Sequence, residues 1–342
     1  MRIESRTVNT PAVTAFVDTR PEACQGHRPA WLAVMRRGLG HQPTPLSAWR
    51  DGQVVGYLPL VLARSTLFGR RLVSLPYVSE AGVLAEDESI AAALVERAHA
   101  LAAELGADQV ELRHRQPLGI DELAPVRRDK VGMTLALAAD EQAMWQTIPS
   151  KVRNQIRKAR KQRVDCRVGG AELLDAFFAV FAQNMRDLGT PVLPKRLFRA
   201  MLHQFGPDAE LVLAEHDGRV AAGAVLIHGP GVTEVPSASS LRRFNHTNAN
   251  MALYWRLVNR AIERGSAVFD FGRCSEGSGP HRFKKQWGAQ PHSLGWQSLG
   301  LGRSTPAPTR EDDRFSVAIA LWKRLPVCVC RCLGPSIARC LC

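Results

Sequence analysis

No stretch of this 342-residue chain reaches the roughly 20 consecutive apolar residues that a membrane-spanning helix needs. The longest candidate, Val54 to Ala63, reads as a strand. The opening M-R-I-E-S-R-T-V-N-T lacks the apolar core of a secretory signal. The expectation is a cytoplasmic protein, at most peripheral to the inner membrane. H-E-x-x-H, C-x-x-C and G-x-S-x-G are all missing, which argues against zinc hydrolase, thiol-redox and serine hydrolase chemistry. The P-loop pattern is missing too. Of eight cysteines, five crowd the tail as C-x-C-x-C and C-x-C, from Cys328 to Cys342. That is not the C-x₂₋₄-C spacing of structural zinc sites, and no histidine lies nearby. They read as packing or lipid-facing residues, and a reducing compartment argues against disulfides.

What is present is a globular balance, with 45% hydrophobic and 23% charged residues. The length suits two cores better than one. A net charge of +13 favours polyanionic partners: phosphorylated substrates, nucleic acid or an anionic membrane face.

The chain also repeats itself. Leu46 to Leu62 reads as strand, Asp51-Gly52 turn, strand, and Leu211 to Ile227 reads the same way around Asp217-Gly218. A helix and a strand follow each hairpin. The spacing predicts a helix over 88–105 with a strand over 109–113, and a helix over 249–264 with a strand over 268–271. Gly106 and Gly265 stand where helix C-terminal glycines belong. Glu111 and Asp270 match in the following strands. Two α/β (α+β) lobes result, 1–140 and 141–303, the first ending with a strand from Met133 to Leu137. A Pro-rich stretch, Ser304 to Asp313, leads to a tail in 304–342 that Pro326 and Pro335 break into short pieces. That tail reads either as a packed helical appendage or as a basic amphipathic segment docking on an anionic membrane or a partner.

Two segments carry candidate chemistry. Ser150 to Arg163 is an amphipathic helix, with Ser150 as N-cap and Val152, Ile156 and Ala159 as its apolar stripe. Lys151, Arg153, Arg157 and their basic neighbours have no acidic partners four residues on, so the face reads as solvated or as phosphate-binding. Phe269 to Ala289, F-D-F-G-R-C-S-E-G-S-G-P-H-R-F-K-K-Q-W-G-A, reads as a short strand ending at Gly272, a Gly/Ser loop, then cations and aromatics. His203 and Asp208 form H-x-x-x-x-D, but at a predicted helix end and in a Gly-Pro turn, which argues against a catalytic pair.

Together R-N-Q-I-R-K-A and F-D-F-G-R…R-F-K-K-Q-W-G-A resemble the FemAB-like branch of the GNAT acyltransferase superfamily. They are similar in particular to FemAB-like proteins associated with exosortase (PEP-CTERM) and exopolysaccharide gene systems. L-F-G-R-R-L-V-S-L-P-Y, ending at Tyr77, and V-E-L-R-H-R, from Val110 to Arg115, agree. The resemblance implies two tandem GNAT-like lobes, each a mixed sheet flanked by helices. It implies aminoacyl or acyl transfer to an amine of a cell-envelope or exopolysaccharide precursor. Better-known members take amino acids from aminoacyl-tRNA to the peptide of peptidoglycan precursors. Their Phe-Lys pair falls on Phe283-Lys284. Their phosphate-binding cations correspond to Lys151, Arg153 and Arg157.

One departure stands out. CoA-dependent members carry [QR]-x-x-G-x-[GA] at a helix N-terminus, whose amides cradle pyrophosphate. Here the place reads R-F-N-H-T-N, with His246 and Asn248 for the glycines, which argues against acyl-CoA as donor. Aminoacyl-tRNA is the donor the resemblance implies, and a phosphorylated or lipid-linked precursor is the acceptor. Lys284, Asp270 and His281 are the catalytic candidates. Lys284 would stabilise the oxyanion or clamp a phosphate, and the other two would guide the amine's proton. Arg273, Ser278, Phe283, Trp287, Tyr254 and Tyr77 join the basic trio as substrate-binding candidates. A nucleic-acid-binding protein and a non-catalytic scaffold of a polysaccharide-synthesis complex are the alternatives. The first predicts aromatics among the cations, and residues 150–163 have none.

Overall fold

The computed structural model describes residues 1–5, 11–65, 69–125, 130–301 and 316–340. The Pro-rich Ser304 to Asp313 stretch lies outside them, as do Leu67, Phe68 and Cys342. Contacts divide the chain into two units. One comprises Met1–Arg128, Ser293–Asp312 and Pro335–Cys342, the other Asp129–His292 and Asp313–Gly334.

In the first unit β1 (Leu46–Arg50) and β2 (Gln53–Leu58) form the expected hairpin. Asp51 and Gly52 take φ of 50° and 79°, the left-handed pair that matches the twist of the strands. The strand expected to reach Ala63 stops at Leu58. Pro59 brings no N–H to a ladder, and the chain resumes in a different sheet as β3 (Val61–Ser65). β4 (Gly69–Val73) follows, then α1 (Glu88–Glu104) and β5 (Gln109–His114). Asp87 caps α1 by accepting the Ile90 N–H at 2.9 Å. Gly106, at φ 62°, lets the chain turn off its end. β4 and β5 run parallel over three pairs, the last joining Val73 to Glu111. On the far side of β5 lies the strand Gly295–Gly300, antiparallel to it. The sequence reading gave that strand to the second lobe, but its pairing partner is in the first.

Glu111 and Arg113 share one face of β5, two residues apart. Both are buried and bonded side-on, with Arg113 Nε and Nη2 donating to Glu111 Oε1 at 2.8 and 2.7 Å. Arg71 lies 3.9 Å from the same carboxylate. Arg113 also donates to the Leu75 and Val78 carbonyls and stacks 4.2 Å over the Trp296 ring.

The second unit has a single seven-stranded sheet. It is built from β6 (Lys130–Ala136), the strand Val164–Gly169, β7 (Ala209–His216), β8 (Arg219–Gly229), β9 (Val232–Ser240), β10 (Val268–Ser275) and the strand Gln290–Ser293. Its helices include α2 (Ser150–Lys161), α3 (Ala249–Glu263) and α4 (Gly279–Gln286). Asp217 and Gly218 repeat the left-handed pair of the first hairpin. Both hairpins carry a register shift at the same distance before the Asp, at Ala48/Trp49 and at Ala214/Glu215. With no proline to interrupt it, β8 runs unbroken for 11 residues.

Three readings are corrected in this unit. The strand from Met133 to Leu137, expected to close the first lobe, is β6, and it pairs with β10. Its Met133 and Leu135 enter the second core. Ser150 is not the N-cap of α2: Pro149 takes that position, and no side chain caps the helix. β10 does not end at Gly272 but continues to Ser275, because Lys130 to Gly132 pair with it there. The stripe of Val152, Ile156 and Ala159 is buried as the spacing predicts.

The tail forms α5 (Ser316–Trp322) and α6 (Val327–Ala338). Pro335 lies inside α6 rather than ending it, at the cost of one main-chain bond. Among the described residues no helix is long and apolar enough to cross a membrane.

Glu111→Ala strips two buried guanidinium groups of their shared carboxylate. It is expected to cost about 3–5 kcal/mol, read as an earlier unfolding transition in urea.

Candidate active site

β9 and β10 run parallel for only three pairs, Val232–Val268, Thr233–Phe269 and Glu234–Asp270. Beyond them β9 continues on β8, and β10 continues on β6, without pairing to each other. Strands that part in this way open a wedge in the sheet. Main-chain groups facing the wedge lose their ladder partners and must be satisfied otherwise.

A bulge in β10 marks the mouth of the wedge. Phe271 and Gly272 together oppose Met133, and Gly272 takes φ 69°, where a side chain would be strained. Asp270 Oδ1 accepts the Gly272 N–H at 2.7 Å. Lys284 Nζ reaches back from α4 and donates to the Gly272 and Arg273 carbonyls at 2.8 and 2.9 Å. Lys284 is only 6% exposed. Burial lowers its pKa from 10.5 to about 8, against the upward pull of Cys274 and Asp270 and with a further downward push from Arg273. The Gly/Ser loop launches the helix that carries it. Ser278 Oγ caps α4 by accepting the His281 N–H, and His281 Nδ1 accepts the Gly277 N–H, both at 3.3 Å.

Phe283, the residue before Lys284, faces elsewhere. It lines a pocket of about 190 Å³ at the N-terminus of α3. The carboxamides of Gln155, Asn245, Asn248, Asn250 and Gln286 share the wall with Phe244 and Met251, and no charged residue lines it. Gln155 Oε1 is buried there without a hydrogen-bond partner. Three amides in the first turn of α3 are bonded within it. Ala249 N–H donates to Thr247 Oγ1, and the Met251 and Ala252 N–H groups donate to the Asn248 carbonyl. Asn248 itself is left-handed, at φ 57°.

α2 lies along this pocket through Gln155, while its cations face outward. Arg157 and Arg160 each stand 5.4 Å from the centre of the Trp145 ring, which belongs to the preceding helix Glu141–Thr147. Glu141 lies 3.9 Å from Arg160.

Residues 150–285 match the family model described as an acetyltransferase (GNAT) domain. The match begins at α2 and ends one residue past Lys284, so it takes in every residue lining the pocket except Gln286, together with β9 and β10. Among solved structures the chain is similar to FemX, with 14% identity, coverage of 92% of this chain and 100% of that one, and a TM-score of 0.70. It is similar to L-PGS from Bacillus licheniformis, at 12% identity, 93% and 97% coverage, and a TM-score of 0.55. It is also similar to a tandem GNAT protein from the clavulanic acid biosynthesis pathway, at 15% identity, 86% and 93% coverage, and a TM-score of 0.51. No curated protein matches the sequence significantly. The fold is therefore the expected one: tandem GNAT-like folds, with mixed sheets flanked by helices. Of the family resemblance, the GNAT domain and the FemX-like architecture are established.

The candidate residues divide into those the fold gathers and those it does not. Asp270, Arg273 and Lys284 meet at the bulge. Phe283, Tyr254 and Trp287 form one aromatic cluster, with Phe283 4.8 Å from Tyr254 and 6.5 Å from Trp287. Only Phe283 reaches the pocket; Trp287 is fully buried behind it in the core and supports it from there. Ser278 serves as a helix cap and His281 sits in the same turn. Lys151 is exposed at the start of α2, and Arg153 and Arg157 bond locally, to Trp145 O and Asn154 Oδ1. Tyr77 belongs to the first unit, where its hydroxyl donates to the Ala338 carbonyl. His203 and Asp208 are engaged separately, with Gln204 and Arg264. The sequence reading missed Gln155, Asn245, Asn250 and Gln286. Gln155 stands three residues after Val152 and four before Ala159, so the helical period already put this neutral amide beside the buried stripe.

An unfolded lysine keeps its proton to about 10.5, and Lys284 releases its own near 8. Between those values the unfolded chain binds more protons, so stability rises with pH. The difference in urea midpoint between the parent and Lys284→Met is expected to change in that direction from pH 8 to pH 10, and to stay flat below pH 7.

Proposed function

We propose that the second unit catalyses acyl transfer to an amine. The observation that carries this reading is the adjacency of Phe283 and Lys284. One wall of a neutral pocket is thereby joined to a buried cation whose pKa is about 8. The pocket takes the acyl group, and the wedge beside the bulge takes its carbonyl. The acceptor nitrogen attacks the carbonyl carbon, and a new C–N bond forms. The bond from that carbon to the donor oxygen or sulfur breaks, and the leaving group takes a proton. Lys284 as ammonium stabilises the oxyanion between these events. Asp270 or His281 receives the proton that the amine gives up and passes it to the leaving group.

A CoA pyrophosphate does not fit this pocket well. The Ala249, Met251 and Ala252 amides at the start of α3 are bonded within the turn, Asn248 carries a side chain where close approach needs none, and no cation lines the wall. An aminoacyl donor such as aminoacyl-tRNA suits the carboxamide lining better. Lys151, Arg153 and Arg157, on the outward side of α2, would bind phosphates of a phosphorylated or lipid-linked cell-envelope or exopolysaccharide precursor, a reading their single-signed charge supports. The setting among exosortase-associated systems rests on the sequence motifs alone.

Mass spectrometry of small molecules that co-purify with the chain is the first test. With a substrate in hand, Lys284→Ala is expected to lower kcat by about 10²–10³ while circular dichroism stays unchanged. Undiminished turnover would sink the assignment. Gln155→Ala is expected to shift the preference between acyl groups by about tenfold, measured as a ratio of kcat/KM values.

A further inference from the structure

The large apolar side chains left exposed are not scattered over the surface. Among the described residues they are Met1, Val317, Leu321, Leu333 and Ile337, so four of the five fall in α5 and α6. Val317, Leu321 and Leu333 belong to the second unit and are 69%, 59% and 51% exposed. The opposite faces of these helices hold them in place. Trp322 is buried and donates its indole N–H to the Thr190 carbonyl at 3.1 Å. Cys330 is buried, and Gly334 lies so close to Val192 that an added Cβ would sit 2.6 Å from its main-chain nitrogen. The outward face is therefore fixed by packing.

Val317 and Leu321 are four residues apart and point the same way. Lys323 and Arg324 follow closely in the chain and are exposed, as is Arg331 on α6, which lies 5.2 Å over the Phe178 ring. From Ser316 to the last residue there is no aspartate or glutamate. We propose that this face docks on an anionic lipid bilayer, lying flat with its apolar side chains at the headgroup boundary and its cations at the phosphates. Its charge has one sign, which complements a surface of phosphates. Its apolar residues are exposed on two short helices. The helices have 7 and 12 residues, too short to span a bilayer and suited to lying on it. This inference goes beyond the acyl-transfer reading and does not rest on it.

The test is co-sedimentation of the full chain with vesicles of phosphatidylglycerol mixed with phosphatidylcholine, against phosphatidylcholine alone. Binding is expected to the anionic vesicles only, and to weaken as salt is raised. Lys323→Gln with Arg324→Gln is expected to lower the partition coefficient about thirtyfold, from the strength of a basic side chain near such a surface. Val317→Ser with Leu321→Ser should lower it about tenfold and leave the salt dependence in place. All four positions are exposed, so circular dichroism should not change. Failure to sediment with anionic vesicles at low salt would overturn the proposal, as would parent-like binding by both double variants. Self-association that depends on Val317 and Leu321, with no vesicle binding, would make the face a protein interface and equally end it.

Discussion

Two parallel strands that diverge leave carbonyls facing a gap, and the second unit meets this constraint with one lysine. Lys284 donates to two successive carbonyls of β10 just past its last pair with β9. The bulge at Gly272 exposes those carbonyls, the Ser278 cap starts the helix that returns to them, and the aromatic cluster fixes that helix against the sheet. Each part needs the others. Without the bulge the carbonyls would point into a ladder, and without the cap the lysine would begin in the wrong place. The same enclosure that lowers the lysine's pKa keeps its charge undiluted by water.

The first unit uses the same frame and fills it differently. Its parallel pair also lasts three residues and ends on an acid, Glu111, in the register held by Asp270 in the second. There Arg113 satisfies the loop carbonyls of Leu75 and Val78, but its charge is matched by Glu111 at bonding distance. Lys284 has no such contact, since its two acceptors are neutral carbonyls. A neutralised guanidinium under a tryptophan ring is a packing element, whereas a buried amine near its titration point is chemically available.

What the sequence disclosed was whatever is decided locally. Asp-Gly pairs require left-handed backbone, a helical stripe requires burial, and a glycine after a helix marks its end; all of these appear where the residues put them. What it concealed depends on partners distant in the chain. Nothing within Met133 to Leu137 says which sheet the strand will join, and nothing within Gly295 to Gly300 says that it will return to the first. Pro59 was a local signal, but its consequence, a change of sheet, was not. At the site the cations and aromatics drew attention, and the fold placed Trp287 in the core while giving the pocket wall to neutral amides. Carboxamides carry no charge pattern or period of their own, so only the period of the stripe beside it could have pointed to Gln155.

A strand edge without a partner is also an invitation to any other extended chain, in this molecule or the next. β10 past the wedge would be such a template, with carbonyls in register for an intruding strand. By occupying two consecutive acceptors at the mouth, Lys284 breaks that register at its start. Anything that enters the wedge has to present something other than a β-strand backbone, so the lysine restricts entrants by shape.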